Sequence, residues 1–138
     1  MNNNSLILDT HFFIWLMEGR SELTADELKI IKQYSKKNPL LISAISIWEI
    51  AILQKKQRIT LKQPTTIWVE KALESPLIVL ASLTPAILCE SVDLPDDFHK
   101  DPADRMIVAT ARIMQAKLLT RDKKILEYAK IGLIDCVG

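Results

Sequence analysis

Apolar residues in this chain occur in two arrangements: short solid runs, and longer stretches in which they recur every three or four positions. The solid runs are Leu6-Ile7-Leu8, Leu40-Leu41-Ile42, Leu77 to Leu80 and Lys117 to Thr120. Each is too short for a helix and has no polar face, which predicts strands buried on both sides. The first strand is expected over Ser5 to Asp9 and a last one over Leu133 to Val137. Between them the helical period takes over. Thr10 opens a helix with Phe12, Phe13, Ile14, Trp15, Leu16 and Met17. Thr24 opens another through Lys37, with Leu28, Ile31 and Tyr34 on one stripe and Lys29, Lys32, Lys36 and Lys37 mostly off it, before Asn38-Pro39 stops it. Ser43 is placed to cap a helix running to Gln57 that is apolar nearly all round and is therefore expected to be largely buried. Further helices start at Thr65 (ended by Pro76), at Thr84-Pro85, at Asp101-Pro102 (to Gln115) and at Asp122 (to Ala129). Leu94-Pro95-Asp96-Asp97 reads as loop.

Short apolar strands alternating with helices predict an α/β fold, with a parallel sheet covered by helices on both faces. No repeat, linker or low-complexity tract interrupts the 138 residues, so one domain over 1–138 is expected. In such a sheet, ligands bind outside the carboxyl ends of the strands. Asp9 ends the first strand, and Asp122 lies just past the fourth. Glu49 falls in the second turn of the helix after strand two, and Asp104 one turn into the helix that follows the long loop. The topology points all four toward one rim.

Composition narrows the picture. Hydrophobic residues make up 49% and charged residues 25%, as in globular domains, and the formal net charge is only +1. Nucleic-acid binding therefore cannot be argued from bulk charge and must come from local patches. The start of the chain lacks the basic segment and apolar stretch of an export signal, and no run approaches the roughly 20 apolar residues of a membrane span. Cys89 and Cys136 form no ligand pattern with His11 or His99, which disfavours zinc. These features predict a soluble protein of the cytoplasm.

The four acids each have an ordinary reading beside the functional one. Asp9 and Asp122 fit helix caps. Asp101 fits a cap with Pro102 at the first helical position, leaving Asp104 as the third residue of a capping box. Glu49 is harder to explain locally: it is the one charge between Ser43 and Leu53, with Ser46 three residues earlier on its face. Burying such acids costs several kcal/mol unless something compensates, and a cation is the usual compensation where no base is near. His11 and His99 lack a nucleophile motif and read as surface or packing residues. Trp15, Trp48 and Trp68 read as core. Arg121, Lys123 and Lys124 adjoin Asp122 and are candidates for phosphate contacts.

Four segments together resemble a known family: Leu6-Ile7-Leu8-Asp9-Thr10-His11, Ser43-Ala44-Ile45-Ser46-Ile47-Trp48-Glu49-Ile50-Ala51, the long run from His99 through Asp101-Pro102-Ala103-Asp104-Arg105 to Ala111, and Leu119-Thr120-Arg121-Asp122. In order and spacing they are similar to the PIN domains of VapC-type toxins, from about Leu6 to the end of the chain. The resemblance implies a PIN-like three-layer α/β/α sandwich with a central, mainly parallel sheet. It also implies a Mg²⁺- or Mn²⁺-dependent endoribonuclease of a toxin–antitoxin pair. The family's acidic residues carry over to Asp9, Glu49, Asp104 and Asp122 as metal and catalytic residues, with Thr10 and Thr120 as polar helpers. An RNA substrate, a cognate antitoxin and a homodimer are the implied partners. His11 stands where many relatives carry Asn or another small polar residue.

Other α/β classes with a strand-end Asp fit less well. A haloacid-dehalogenase site needs a second Asp where His11 stands, and a receiver needs an acidic pair at the first strand. A catalytically silent PIN-fold module that binds a protein or RNA is the remaining alternative, and it has no need of the complete acidic set.

Overall fold

The computed structural model describes residues 5–95 and 98–137. Their element order is β1 (Leu6–Leu8), α1 (Thr10–Glu18), α2 (Ala25–Ser35), β2 (Leu40–Ser43), α3 (Ala44–Lys55), α4 (Thr65–Leu73), β3 (Ile78–Ala81), α5 (Pro85–Val92), α6 (Pro102–Met114), β4 (Lys117–Leu119) and α7 (Lys123–Lys130). The four strands form one parallel sheet in the order β3-β2-β1-β4. The loop expectation for Leu94 and Pro95 holds, while Asp96 and Asp97 lie outside the described residues.

Period-two alternation in the inner strands divides the core. Leu6 and Leu8 of β1, Leu40 and Ile42 of β2, and Leu119 of β4 enter one cluster, with Phe12, Phe13 and Ile14 of α1, Ile31 of α2 and Trp68, Val69 and Ala72 of α4. Ile7, Leu41 and Leu118 point the other way, onto Ala103, Ile107, Val108 and Ala111 of α6 and Ile125 and Tyr128 of α7. Helix α3 serves both layers, Ile50 in the first and Ile45 in the second. The result is the expected α/β/α sandwich. No helix among the described residues is long and apolar enough to cross a membrane.

Four sequence expectations change. The third strand is not buried on both sides: Ile78 and Ala81 of β3 are buried, but Val79 and Leu80 are exposed, because β3 is the edge of the sheet. Leu133 to Val137 is not a regular strand: it contributes a single parallel bridge, Leu118 with Cys136, through Leu118 N–H to Asp135 O (2.8 Å) and Val137 N–H to Leu118 O (3.1 Å). The segment runs beside β4 only briefly, after the left-handed Gly132 that ends the turn following α7. Helix α3 is not largely buried: Ile45, Ser46 and Ile50 are, but Trp48 is 53% exposed and Ala51 is open. An apolar sequence does not bury a helix face that no neighbouring layer covers. Of the three tryptophans, only Trp68 is a buried core residue, and Trp15 is half-buried at its cluster's edge.

The strand order places the site. From β1 the chain crosses to β2 on one side and later returns to β4 on the other, so the connections after β1 and β4 diverge and leave a crevice at their carboxyl ends. Asp9 N–H still bonds Leu119 O across that point, at 3.2 Å.

Candidate metal centre

Asp9 is both a cap and more than a cap. One carboxylate oxygen accepts from Phe12 N–H (3.2 Å) at the start of α1, and the other accepts from the Thr120 hydroxyl (2.6 Å). Burial pushes its carboxyl above the ordinary range, against the opposing pull of those two hydrogen bonds. The Thr120 hydroxyl in turn accepts from Asp122 N–H (3.1 Å), and Asp122 caps α7 through Ile125 N–H (3.0 Å). The end of β4 and the start of α7 are thereby tied to Asp9.

The second wall comes from α3. Thr10, buried in the first turn of α1, has its hydroxyl 2.9 Å from that of Ser46 and donates to Glu49. Burial raises the Glu49 carboxyl, the Thr10 bond lowers it, and Asp101 and Asp9 add repulsion. The Ser46–Glu49 pairing suggested by the helical spacing is therefore relayed through Thr10.

The third wall is the N-terminus of α6. Asp101 caps it by accepting from Asp104 N–H at 2.9 Å. Only this half of the expected capping box forms. Asp101 N–H faces His99 Nδ1 instead (3.4 Å), and the Asp104 carboxylate turns toward His99 Nε2 at 3.1 Å. That contact lies off the line of the ring N–H, so it brings charge close without a well-aligned hydrogen bond. Burial, followed by the neighbouring charges of Asp101, Asp122, Glu49 and Asp9, pushes the Asp104 carboxyl up to about 7. Arg105 locks the approach to this helix by donating to the carbonyls of Ser91 (2.7 Å), Phe98 (2.7 Å), His99 (3.2 Å) and Val92 (3.0 Å).

All four acids singled out in the sequence face this crevice closely enough to act on one another. Ligand atoms of Asp104, Asp122 and His99 lie within 4.8 Å of one another. Asp9 and Glu49 stand behind them, held by Thr120 and Thr10. His99 is the residue that sequence reasoning missed. It does pack, its ring 4.4 Å from that of Phe98, but it also reaches Asp104. Its position two residues before the Asp101 cap was the available signal. Arg121 was a candidate for phosphate contact, but it hydrogen-bonds Glu27 instead (Nε, 2.8 Å).

Carboxylate oxygens crowded at low solvent exposure, with no lysine or arginine ion-paired to Asp9, Glu49, Asp104 or Asp122 among the described residues, make a donor set suited to a hard divalent cation. The raised Asp104 carboxyl carries the same message, because a cation offsets both the burial and the repulsion that raise it.

The fold and site define an α/β/α protein with a parallel sheet and acidic side chains gathered at its topological switch point. The chain belongs to the PIN domain family, whose model matches residues 6–131. It is 31% identical over 121 residues to Ribonuclease VapC22 of Mycobacterium tuberculosis, covering 88% of this chain and 89% of that one. Its fold is similar to that of VapBC2 from Rickettsia felis bound to a promoter DNA fragment (TM-score 0.69, 14% identity, 96% of this chain and 97% of that one). It is also similar to a toxin–antitoxin complex from Klebsiella pneumoniae (TM-score 0.63, 23% identity, 96% of each chain).

Proposed function

We propose that this protein is a Mg²⁺- or Mn²⁺-dependent endoribonuclease and the toxin of a toxin–antitoxin pair, acting in the cytoplasm. The observation that carries the reading is the convergence of Asp9, Glu49, Asp104 and Asp122 on one crevice, with Asp104 raised to about 7 by burial and its neighbours. The 31% identity to a ribonuclease supports the same activity. Toxin–antitoxin complexes among proteins of the same fold support an antitoxin partner. Exposed Val79 and Leu80 on the edge strand β3, with Leu88 and Val92 on α5, leave apolar surface for the proposed homodimer.

In this reading Asp104 and Asp122 would hold the divalent ion, with Asp9 and Glu49 completing the acidic set around it. Such an ion would supply polarisation of the phosphoryl oxygen and a better water nucleophile at neutral pH. Thr120 fixes one oxygen of Asp9, and Thr10 fixes one oxygen of Glu49, so neither carboxylate needs to reorganise during the reaction. Glu49, with its raised proton affinity, takes the proton from the attacking water. The new bond joins that water's oxygen to phosphorus, the bond from phosphorus to the leaving ribose oxygen breaks, and that oxygen takes a proton from solvent. Single-stranded or loop RNA is the expected substrate, because an unpaired backbone reaches recessed carboxylates more readily than a duplex does.

The test is cleavage of mixed RNA by the wild type, Asp9→Asn and Asp104→Asn with Mg²⁺, Mn²⁺ or EDTA. We expect losses of about 100-fold or more in both variants and in EDTA. Cleavage that persists in EDTA, or full activity in both variants, overturns the mechanism.

A further inference from the structure

Three side chains beside the crevice pack against one another in a column that the metal chemistry leaves unused. His11, exposed on the first turn of α1, has its ring 5.9 Å from that of Trp15 at a tilt of 48°. The Arg121 guanidinium lies over Trp15, with Cζ 4.7 Å from the ring centroid, and Phe12 meets Trp15 edge-on at 5.2 Å. The base of the column is fixed. Arg121 grips Glu27 and donates to Glu22 O (2.6 Å), and Glu27 is itself held by the capping box it forms with Thr24. Trp15 is half-buried against the core, so His11 is the ring that meets solvent.

The outer end of the column lies beside the proposed reaction site. His11 follows Asp9 by two residues and lies within electrostatic reach of both Asp9 and Glu49. A strand whose phosphate enters the crevice must place its flanking bases within a few ångströms of the rim. A base has little attraction to carboxylates but stacks on any flat π-system, and aromatic rings with arginine planes are the usual platforms for unpaired bases. A ring already held by its neighbours loses little freedom when it takes a base.

We propose that His11, backed by Trp15 and Arg121, is a stacking platform for a nucleobase of single-stranded RNA next to the scissile phosphate. The inference deepens the ribonuclease reading and rests on it. The contribution comes from the ring and not from its charge, which separates it from a role in proton transfer.

The test measures Mn²⁺-supported cleavage of a short single-stranded RNA and of copies carrying one abasic nucleotide at each position around the cut. For the wild type, one abasic position is expected to raise KM about 5- to 100-fold. His11→Ala is expected to show that increase already on intact RNA and to lose sensitivity to the abasic position. His11→Phe restores the wild-type pattern, and His11→Lys does not. The rise in Tm on adding Mn²⁺ is expected to persist in His11→Ala, which distinguishes a lost platform from a damaged metal centre. Equal abasic penalties in the wild type and His11→Ala, or rescue by Lys and not by Phe, overturns the proposal while the ribonuclease reading stands. A wild type that cleaves no RNA overturns both.

Discussion

Asp104→Asn makes an unusual demand on the protein: a substitution at the heart of the site that stabilises the metal-free fold. In the folded chain the Asp104 carboxyl is raised from 3.8 to about 7, first by burial and then by Asp101, Asp122, Glu49 and Asp9. A folded-state value above the unfolded one means that the native protein holds this proton more tightly. Its stabilising contribution is complete below about pH 4 and disappears as the pH rises through about 7. A displacement of that size corresponds to about 4 kcal/mol at about 1.4 kcal/mol per tenfold. The rim is partly open and solvent screens the charge, so about 1–2 kcal/mol is the realistic cost at pH 8. Asn carries no charge and keeps the backbone N–H bond to Asp101, so it avoids that cost. In EDTA the variant should match the wild type near pH 4 and exceed it at pH 8, by roughly 3–8 °C in Tm. Added Mn²⁺ should raise the wild-type Tm and leave the variant nearly unchanged. The assay is thermal unfolding across pH 4–8 with EDTA or Mn²⁺. A variant less stable than the wild type at pH 8 in EDTA, or a difference that does not change with pH, refutes the repulsion argument.

Two further outcomes follow from hydrogen bonds at the edge of the site. Arg105→Lys should destabilise the protein by about 2–4 kcal/mol in urea unfolding, because a single ammonium cannot replace a planar fork that satisfies four carbonyls; a loss below about 0.5 kcal/mol would contradict this. Thr120→Val keeps the side-chain shape and removes the donor to Asp9, so Mn²⁺ affinity measured by titration calorimetry should fall about 10- to 100-fold. Unchanged affinity would show that Thr120 does not orient Asp9.

How far the site could be read from sequence depended on which physical effect governed each residue. Caps are local, and Ser43, Thr84, Asp101 and Asp122 accept from backbone N–H groups two or three residues ahead in their own helices. Thr24 and Glu27 form the full reciprocal box, whereas Asp101 and Asp104 form half of one, because His99 takes the place of the second bond. His99 was underestimated because its neighbour is set by the path of the loop before α6. Trp48 was misplaced because an apolar helix does not reveal which of its sides a layer will cover.

The sequence by itself determined the alternation of elements and the parallel sheet with helices on both faces, since these follow from backbone period and capping chemistry. It marked the four acids as candidates through their order, their strand-end placement and the family resemblance. Only the tertiary structure decided which groups meet. Thr120 reaches Asp9 across 111 positions, and Thr10 reaches Glu49 across 39. The strand order β3-β2-β1-β4 creates those contacts by opening the crevice between β1 and β4. Hydrogen bonds and repulsion act over a few ångströms, so they become specific only once the fold has set those distances.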